Sequence, residues 1–460
     1  MDLDNNALRA GAPADVRADR RPLRILTGFT LPLASVIILQ LVGRQAIVAG
    51  LSWHGQAHGQ DVAFDIAAFV VAIALSFLAC APIEGLGMLA LAHGDDPATR
   101  RRISAFAGLL TLLSTLALAL LAFSSAGFWF ISNVQGLDDE LARRVQQALA
   151  PMVLWPLILA TMAMASGWLK RGGHGFPLAV ANVIGLATTV GLVVSLPAVG
   201  MDPLEAGMLA YLTGQGLRAG LLLLLAARGR EPDSPNAAPA PPPGWRELTG
   251  FYAPLAWNST MMLASRPLIQ WFLARQDNPE IVLAGFGVAF GISQIFYGWL
   301  NDLRSHATAF REQPQVLAKL PDFAIGLCAL MTGLMAALFW TPLGRLLVAR
   351  LMGLQGEILD EACAGLAVMA FCPMVVTLRA YYQGLAVLHR QTNSYFTSAI
   401  VRIVGIAAVL ALLPGLGLNG SVLGTCGLIG GFLTEGLALA WSLHGAVPSL
   451  RLRAAGQYGQ

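Results

Sequence analysis

Two stretches of this sequence repeat one another without a gap: FTLPLASVIILQLVGRQAI (residues 29–47) and FYAPLAWNSTMMLASRPLI (residues 251–269). Both carry Pro-Leu-Ala near the start, and Arg44 in the first stands where Arg266 stands in the second. Three further matches follow in the same order along the chain: 151–153 with 373–375, 182–187 with 402–407, and 215–217 with 435–437. The chain is therefore predicted to consist of two similar halves.

Both halves are too apolar for a soluble protein. Of the 460 residues, 56% are hydrophobic and only 12% are charged, whereas a soluble domain has about 25% charged residues. This composition predicts an all-α polytopic membrane protein. Apolar windows predict about twelve transmembrane helices, at 25–52, 62–92, 104–131, 147–169, 176–197, 204–228, 248–274, 280–304, 320–343, 361–388, 395–413 and 419–444.

Composition also divides the chain into five parts. They are a polar leader at 1–24, a six-helix bundle at 25–228, a Pro-rich linker at 229–247, a second six-helix bundle at 248–446, and a tail at 447–460. Because six helices per half give both halves the same orientation, we expect two bundles related by an axis along the membrane normal, with a cleft between them.

The Lys and Arg residues predict the orientation in the membrane. Nineteen of the 29 fall on the side of the leader and in alternate loops, and only five fall in the opposite loops. By the positive-inside rule, both termini are predicted to lie in the cytoplasm. The apolar segment after the leader is too long for the core of a cleaved signal peptide, so we expect it to be a retained first helix.

The remaining five arginines lie inside predicted helices: Arg44, Arg218, Arg266, Arg379 and Arg402. An ionisable side chain at membrane depth is costly, and it usually faces an aqueous cavity or a partner. The same segments contain few acids: Glu84, Asp302 and Glu435. This excess of cations favours an anionic ligand. The alternative is that some of these arginines, above all Arg218 and Arg402 near helix ends, pair with Glu84 or Glu435 or extend to the membrane surface.

Neutral polar side chains accompany the arginines at helical spacing, notably on the eighth and tenth predicted helices. We expect a substrate site in the cleft formed by nine residues: Arg44, Asn258, Arg266, Tyr297, Asn301, Arg304, Arg379, Tyr382 and Gln383. In this hypothesis Arg304 and Arg379 attract a polyanion at the inner side, and Arg266 with Arg44 receives it further out.

Two accessory features complete this hypothesis. Candidates for ion coupling are Glu84, Asp302 and Glu435, with Glu84 favoured for protons because its surroundings are apolar. Pro267 should free the carbonyl of Leu263 from its helical bond, and a kink there would present Arg266 to the cleft.

Other function classes lack their motifs in this sequence. No nucleotide-binding loop, nucleophile elbow or carboxylate pair with catalytic spacing is present, which predicts that the chain is not an enzyme and that transport would run on gradients. We predict no cofactor and no metal; His54 and His58, four residues apart in an outer loop, are weak metal candidates. A net charge of +3 does not indicate nucleic acid. The expected partners are a small anion and the lipid bilayer, with the chain as a monomer.

Four motifs of the second half carry a family resemblance. They are PLAWNSTMMLASRPLIQWFLAR, YGWLNDLR, LRAYYQGLAVLHRQT and VRIVGIAAVLALLPGLGLNGSVLGTCGLIGGFLTEG. Together they resemble the progressive ankylosis protein family over roughly 250–440, while the first half agrees mainly in length, topology and repeat. The resemblance implies the fold of the MATE/MOP exporter superfamily, with two six-helix bundles in a V shape and alternating access.

The resemblance also implies a class of substrate. It implies outward movement of pyrophosphate, of citrate and other di- and tricarboxylates, and of ATP. The matched positions are Arg266-Pro267, 297–300, Asp302, Arg304 and Arg379-Ala380. The short loops are typical of a bacterial member, which would lie in the inner membrane.

Three rival functions make different demands on the cleft. A cation-coupled multidrug antiporter requires an acidic cleft, and a flippase of a lipid-linked substrate requires a larger basic groove with a lateral portal. A membrane scaffold would bind no small anion at all. Thermal stabilisation by a panel of carboxylates, pyrophosphate, nucleotides and organic cations would separate them.

Overall fold

The computed structural model describes residues 14–57, 61–93, 97–171, 175–228, 244–389, 391–418 and 420–446. This part of the chain is helical and contains no strand, so the predicted all-α class is confirmed. Within it, nine helices are long and apolar enough to cross a membrane, and two bent helix pairs raise the number to as many as eleven. Most of the predicted linker and the whole tail lie outside the described residues, so the five-part division of the chain stays a prediction.

In the residues described for the first half there are nine helices, and the second predicted span is broken. A 3-10 turn at Ala81–Ile83 contains Pro82 and ends the helix before it, because proline removes a backbone donor and restricts the preceding residue. The helices are α1 (Ala14–Ala57), α2 (Val62–Ala79), α3 (Leu86–His93), α4 (Pro97–Phe123), α5 (Ser125–Trp129), α6 (Asp139–Met152), α7 (Trp155–Arg171), α8 (Gly175–Ala198) and α9 (Pro203–Arg228).

The second half repeats this plan, including its breaks. A 3-10 turn at Gly298–Asp302 interrupts the eighth predicted span, as the turn at Ala81–Ile83 interrupts the second. The fourth and tenth predicted spans are both bent pairs, α6 with α7 at 44° and α15 with α16 at 46°. The helices are α10 (Trp245–Leu273), α11 (Pro279–Tyr297), α12 (Leu303–Ala309), α13 (Pro314–Phe339), α14 (Pro342–Met352), α15 (Gly356–Met369), α16 (Cys372–Leu388), α17 (Thr392–Leu412) and α18 (Gly420–Ala446).

The seventh predicted span is α10, which has 29 residues and is long enough to cross a bilayer. It is not among the nine strongly apolar helices, because polar side chains such as Asn258, Ser265 and Arg266 occupy its middle. It runs as one helix through Pro254 and Pro267. The proline at 267 therefore does not divide the helix, and the kink that the sequence suggested there stays a prediction.

The two halves meet through their first two spans. α2 packs on α11, α1 packs on α11, and α2 packs on α10. A two-fold relation between the halves produces this pattern, because α1 and α2 correspond to α10 and α11 in the repeat. Small residues permit the close approach: a Cβ on Gly287 would lie 2.2 Å from Cγ2 of Val70, and one on Gly291 would overlap the amide of Gln45.

Candidate functional site

A small cavity lies where α1, α2, α10 and α11 meet, between the two halves. Arg44 of α1 and Arg266 of α10 both line it, together with Gln45 and Gln294. Its volume is about 30 Å³, which is room for a few water molecules. The repeat explains the pairing, since a two-fold relation brings equivalent positions of two equivalent helices toward one axis. The structure thus brings together two of the nine predicted site residues.

Both arginines of this cavity contact neutral groups. Nη2 of Arg44 donates a hydrogen bond to Oε1 of Gln294 at 3.4 Å, and its Cζ lies 5.6 Å from the ring centre of Phe77. Cζ of Arg266 lies 4.4 Å from the ring centre of Phe290, within the range of a cation–π contact. Nε of Arg266 is buried and has no hydrogen-bond partner in the described part of the chain.

The electrostatic character of the cavity is positive. Among the residues that the structure describes, no carboxylate lies within 4.0 Å of Arg44 or Arg266. The two guanidinium groups instead act on each other as like charges, and such repulsion is stronger inside a protein than in water. A negatively charged ligand is what this arrangement can stabilise.

Arg379 lies elsewhere, in an ion cluster inside the second half. Its Nη1 donates to Oε2 of Glu435 at 3.2 Å, and Nη1 of Arg402 donates to the same oxygen at 3.0 Å. Nε2 of Gln383 donates to Oε1 of Glu435 at 2.9 Å. Arg379 also donates through Nη2 to Oδ1 of Asn301. The two arginines, the glutamate and the glutamine of this cluster are each at most 4% exposed.

This cluster changes the predicted role of Arg379. The sequence suggested a cation at the inner side of the cleft that attracts the substrate, whereas the structure gives Arg379 a buried carboxylate partner. For Arg402, the alternative of pairing with Glu435 is confirmed. The two arginines share one carboxylate, and the cluster is held between α16, α17 and α18.

Two predicted tyrosines have separate environments. Tyr297 is only 1% exposed, and both Arg266 and Arg379 act on it electrostatically, so it lies between the cavity and the cluster. Tyr382 packs against His444, with ring centres 6.1 Å apart, and it does not join its neighbour Gln383 in the cluster. A direct role in binding stays a prediction for both.

The last two predicted site residues lie nearer the side from which α1 starts. Asn258 is partly buried on α10, and Arg304 is exposed on α12. Arg304 also acts electrostatically on Glu84, as does Arg44. Because these two arginines come from opposite halves, the exposed carboxylate of Glu84 lies between the halves.

The remaining coupling candidate, Asp302, closes the 3-10 turn before α12. Its backbone carbonyl accepts a hydrogen bond from Oγ of Ser305 at 2.7 Å, and its side chain is partly exposed. Ion coupling through Glu84, Asp302 or Glu435 stays a prediction.

Sequence reasoning left out of the site Gln45, Phe290 and Gln294, which line the cavity, and Phe77, which lies beside Arg44. Gln45 occupies the place of Pro267 in the repeat, and Gln294 precedes Tyr297 by three residues, so both had a signal in the sequence. The two phenylalanines had none, because an aromatic residue that faces a cavity has the same sequence pattern as one that faces lipid. In the described residues no group of three His, Cys, Asp or Glu could hold a metal ion, and His58 lies outside them.

Two similar halves of whole and broken helices around a basic cavity define a fold of the MATE and MOP exporter type. The chain is similar to the eukaryotic MATE transporter AtDTX14 at 15% identity and TM-score 0.64, covering 93% of this chain and 96% of that chain. It is similar to the lipid II flippase MurJ in an inward closed conformation at 13% identity and TM-score 0.64, covering 91% and 87%. It is also similar to a MOP superfamily transporter from Pyrococcus furiosus at 14% identity and TM-score 0.58, covering 94% and 98%. Identities this low show the fold alone.

The family model of the progressive ankylosis protein (ANKH) matches residues 18–325. The chain belongs to this family. The match includes the first half, where the sequence motifs were weakest, and it ends before Arg379. Family and fold together support a membrane transporter rather than an enzyme.

Proposed function

We propose that this chain exports small polyanions by alternating access. The proposed substrates are citrate and other di- and tricarboxylates, pyrophosphate, and nucleotides such as ATP. The observation that carries this proposal is the pair Arg44 and Arg266. One arginine comes from each half, both line one cavity, and no described carboxylate lies within ion-pair distance of either. A ligand with two or more negative charges can contact both arginines at once, whereas an organic cation is repelled by both.

The same pair couples the ligand to the movement of the halves. In the empty cavity the two guanidinium groups repel each other, and a bridging polyanion replaces this repulsion with two attractions. A bound polyanion therefore favours an arrangement in which both halves contact it, with the two arginines further apart than in this structure. At about 30 Å³ the cavity is smaller than citrate, so the halves must separate before the substrate binds. Gln45 and Gln294 supply neutral hydrogen bonds.

Access and direction follow from the remaining charges. Arg304 is exposed on the side from which α1 starts, which we place in the cytoplasm together with both termini, and it attracts the anion there. A cell interior that is negative by about 100 mV favours the exit of each negative charge by about 2.3 kcal/mol. Export by a monomer in the bacterial inner membrane then needs no further energy source.

The ion cluster takes no direct part in binding in this proposal. Arg379 and Gln383 already have Glu435 as a partner, and Asn301 accepts from Arg379. We assign these residues to holding α11, α12, α16 and α18 in place. Asn258, Tyr297 and Tyr382 are assigned to the walls of the path.

Efflux from proteoliposomes tests the proposal. Vesicles are loaded with labelled citrate or pyrophosphate, and the initial rate is compared for the wild type, Arg44→Ala, Arg266→Ala and Arg266→Lys. We expect at least a tenfold loss in both alanine variants, and partial activity in the lysine variant because it keeps the charge. Arg345→Ala, which removes an exposed arginine on α14, should transport like the wild type.

Two results would count against the proposal. The first is wild-type efflux in both alanine variants that elute as single, correctly folded species. The second is thermal stabilisation by organic cations or by a lipid-linked pyrophosphate, with none by small anions; this would favour the antiporter or the flippase.

A further inference from the structure

A second cavity lies inside the first half, between α1, α8 and α9. Its polar lining consists of Gln40, Asn182, Thr189, Gln215 and Arg218, with Tyr211 beside them. Its volume is about 10 Å³, which is close to the space of a single water-sized particle. It shares no lining residue with the cavity between the halves, so it is a separate site.

Arg218 is the only charged residue in this lining. Within the described ranges, no carboxylate lies within 4.0 Å of it. Arg218 is partly buried, and a cation that has lost part of its water is destabilised when no opposite charge replaces the lost solvation. Something other than a side chain of the described residues is therefore expected to balance it.

Hydrogen-bond donors also outnumber acceptors in this cavity. Arg218 brings five N–H groups, each of the three amides brings two, and Tyr211 and Thr189 bring one O–H each, whereas the side-chain acceptors are three amide oxygens and two hydroxyl oxygens. Nη1 of Arg218 donates to Oε1 of Gln215 at 3.2 Å. With its amide turned, Gln40 accepts from Nη1 at 2.9 Å and from Nη2 at 2.8 Å. Nε of Arg218 is still buried without a hydrogen-bond partner in the described part of the chain.

The second half shows what balances such a group of donors. In the repeat, Asn182 corresponds to Arg402 and Gln215 corresponds to Glu435. There the carboxylate of Glu435 accepts bonds from two arginines and a glutamine. The first half has a neutral amide at that position, yet it keeps a partly buried arginine beside it. The first half thus has a cation, Arg218, but no carboxylate at the position that Glu435 occupies in the second half.

We propose that this cavity binds one monoatomic anion, with chloride as the physiological ligand. A halide ion accepts several N–H bonds at once and carries the single negative charge that Arg218 lacks. A water molecule adds as many donors as acceptors and neutralises nothing. A carboxylate or a phosphate needs far more space than one ion, and chloride itself, being larger than a water molecule, requires the lining side chains to shift outward slightly. The ion joins α1 to α8 and α9, and so it fixes the helix that also carries Arg44.

The melting temperature of the purified protein tests this site. It is measured in sodium chloride, sodium bromide and sodium gluconate at equal ionic strength and pH. We expect a higher melting temperature in both halides than in gluconate, rising with halide concentration as for any ligand of the folded state. In crystals grown with bromide, an anomalous peak should lie beside Arg218.

Two variants define the ligand, and one serves as a control. Gln215→Glu supplies the missing carboxylate, so its melting temperature should be the same in chloride and in gluconate. Arg218→Met removes the cation and should also lose the halide effect. Arg44→Ala lies in the other cavity and should keep it.

Several results would overturn the site. The first is that the wild type melts at the same temperature in halide and in gluconate. The second is that the halide effect persists in Gln215→Glu. The third is that the halide effect is lost in Arg44→Ala, which would place the ion between the halves. If Arg218→Met does not fold, Gln215→Glu and the bromide peak decide the matter. Failure of the site leaves the citrate and pyrophosphate efflux test untouched, because that test depends on the other cavity.

Discussion

Replacement of Glu435 by glutamine is the sharpest test of the ion cluster. The substitution keeps the shape of the side chain and removes one negative charge. Both Arg379 and Arg402 bind the same carboxylate oxygen, so a single change removes the charged group that both buried cations share. Replacing Arg402 by glutamine is different, because Arg379 and Glu435 then remain as one balanced pair.

The charge count gives the size of the two effects. Breaking a buried ion pair by removing one partner costs about 3–5 kcal/mol, and Glu435→Gln breaks two pairs at once, so we expect a loss at the upper end. Arg402→Gln removes charged hydrogen bonds without stranding a charge, for about 1–3 kcal/mol. For a unit of roughly 200 residues, 1 kcal/mol shifts the melting temperature by about 2–4 °C. The expected decreases are about 15 °C and about 5 °C.

Thermal unfolding of the purified variants in one detergent measures this difference. Glu357→Gln is the matched control, because it makes the same substitution at an exposed glutamate of the second half, and its melting temperature should equal that of the wild type. If Arg402→Gln lowers the melting temperature as much as Glu435→Gln does, the two arginines do not depend on one carboxylate, and the reasoning fails.

Three further substitutions probe contacts between the halves and at the surface. Tyr252→Phe removes the 2.5 Å hydrogen bond from the hydroxyl to the carbonyl of Pro82 in the other half. This hydrogen bond contributes about 1 kcal/mol, so its loss should shift the equilibrium toward separated halves about fivefold. A cysteine placed in the cavity should then react faster with maleimide, and an unchanged labelling rate would contradict this. Gly287→Leu places a side chain where Val70 lies 2.2 Å from the added Cβ, so labelling should also rise and the melting temperature should fall. Arg345→Ala breaks only an exposed ion pair, between Arg345 of α14 and Asp360 of α15. Surface pairs contribute little to stability, so the melting temperature should stay the same, and a clear drop would contradict this.

The helices and the repeat could be read from the sequence, because both depend on local patterns of apolar residues. The positions of the breaks could not. The turn at Ala81–Ile83 contains Pro82, but prolines at 32, 254 and 267 lie inside continuous helices. A turn at Pro82 presents a carbonyl that accepts a bond from Tyr252 of the other half. Whether a proline breaks a helix thus depends on a tertiary partner that no local pattern contains.

The same distinction separates the predicted arginines. Arg44 and Arg266 could be paired from the repeat, because symmetry places equivalent residues near one axis. The partner of Arg379 lies 56 residues away on another helix, and a count of charges does not say which acid faces which cation. The cluster also shows why Tyr382 and Gln383 differ: Gln383 follows Arg379 by four residues and shares its face toward Glu435, whereas Tyr382 faces His444.

The cluster in turn sharpens the meaning of the cavity between the halves. Glu435 accounts for Arg379 and Arg402, so these arginines need no ligand. Arg44 and Arg266 have no comparable partner among the described residues, and their mutual repulsion makes the closed, empty cavity unfavourable. That free energy is returned only when an anion lies between them, and a ligand at a hundred times its dissociation constant adds about 2.7 kcal/mol of stability. In the proposed function, the instability of the empty cavity therefore favours arrangements in which the two arginines are further apart, and these are the arrangements that a polyanion can enter.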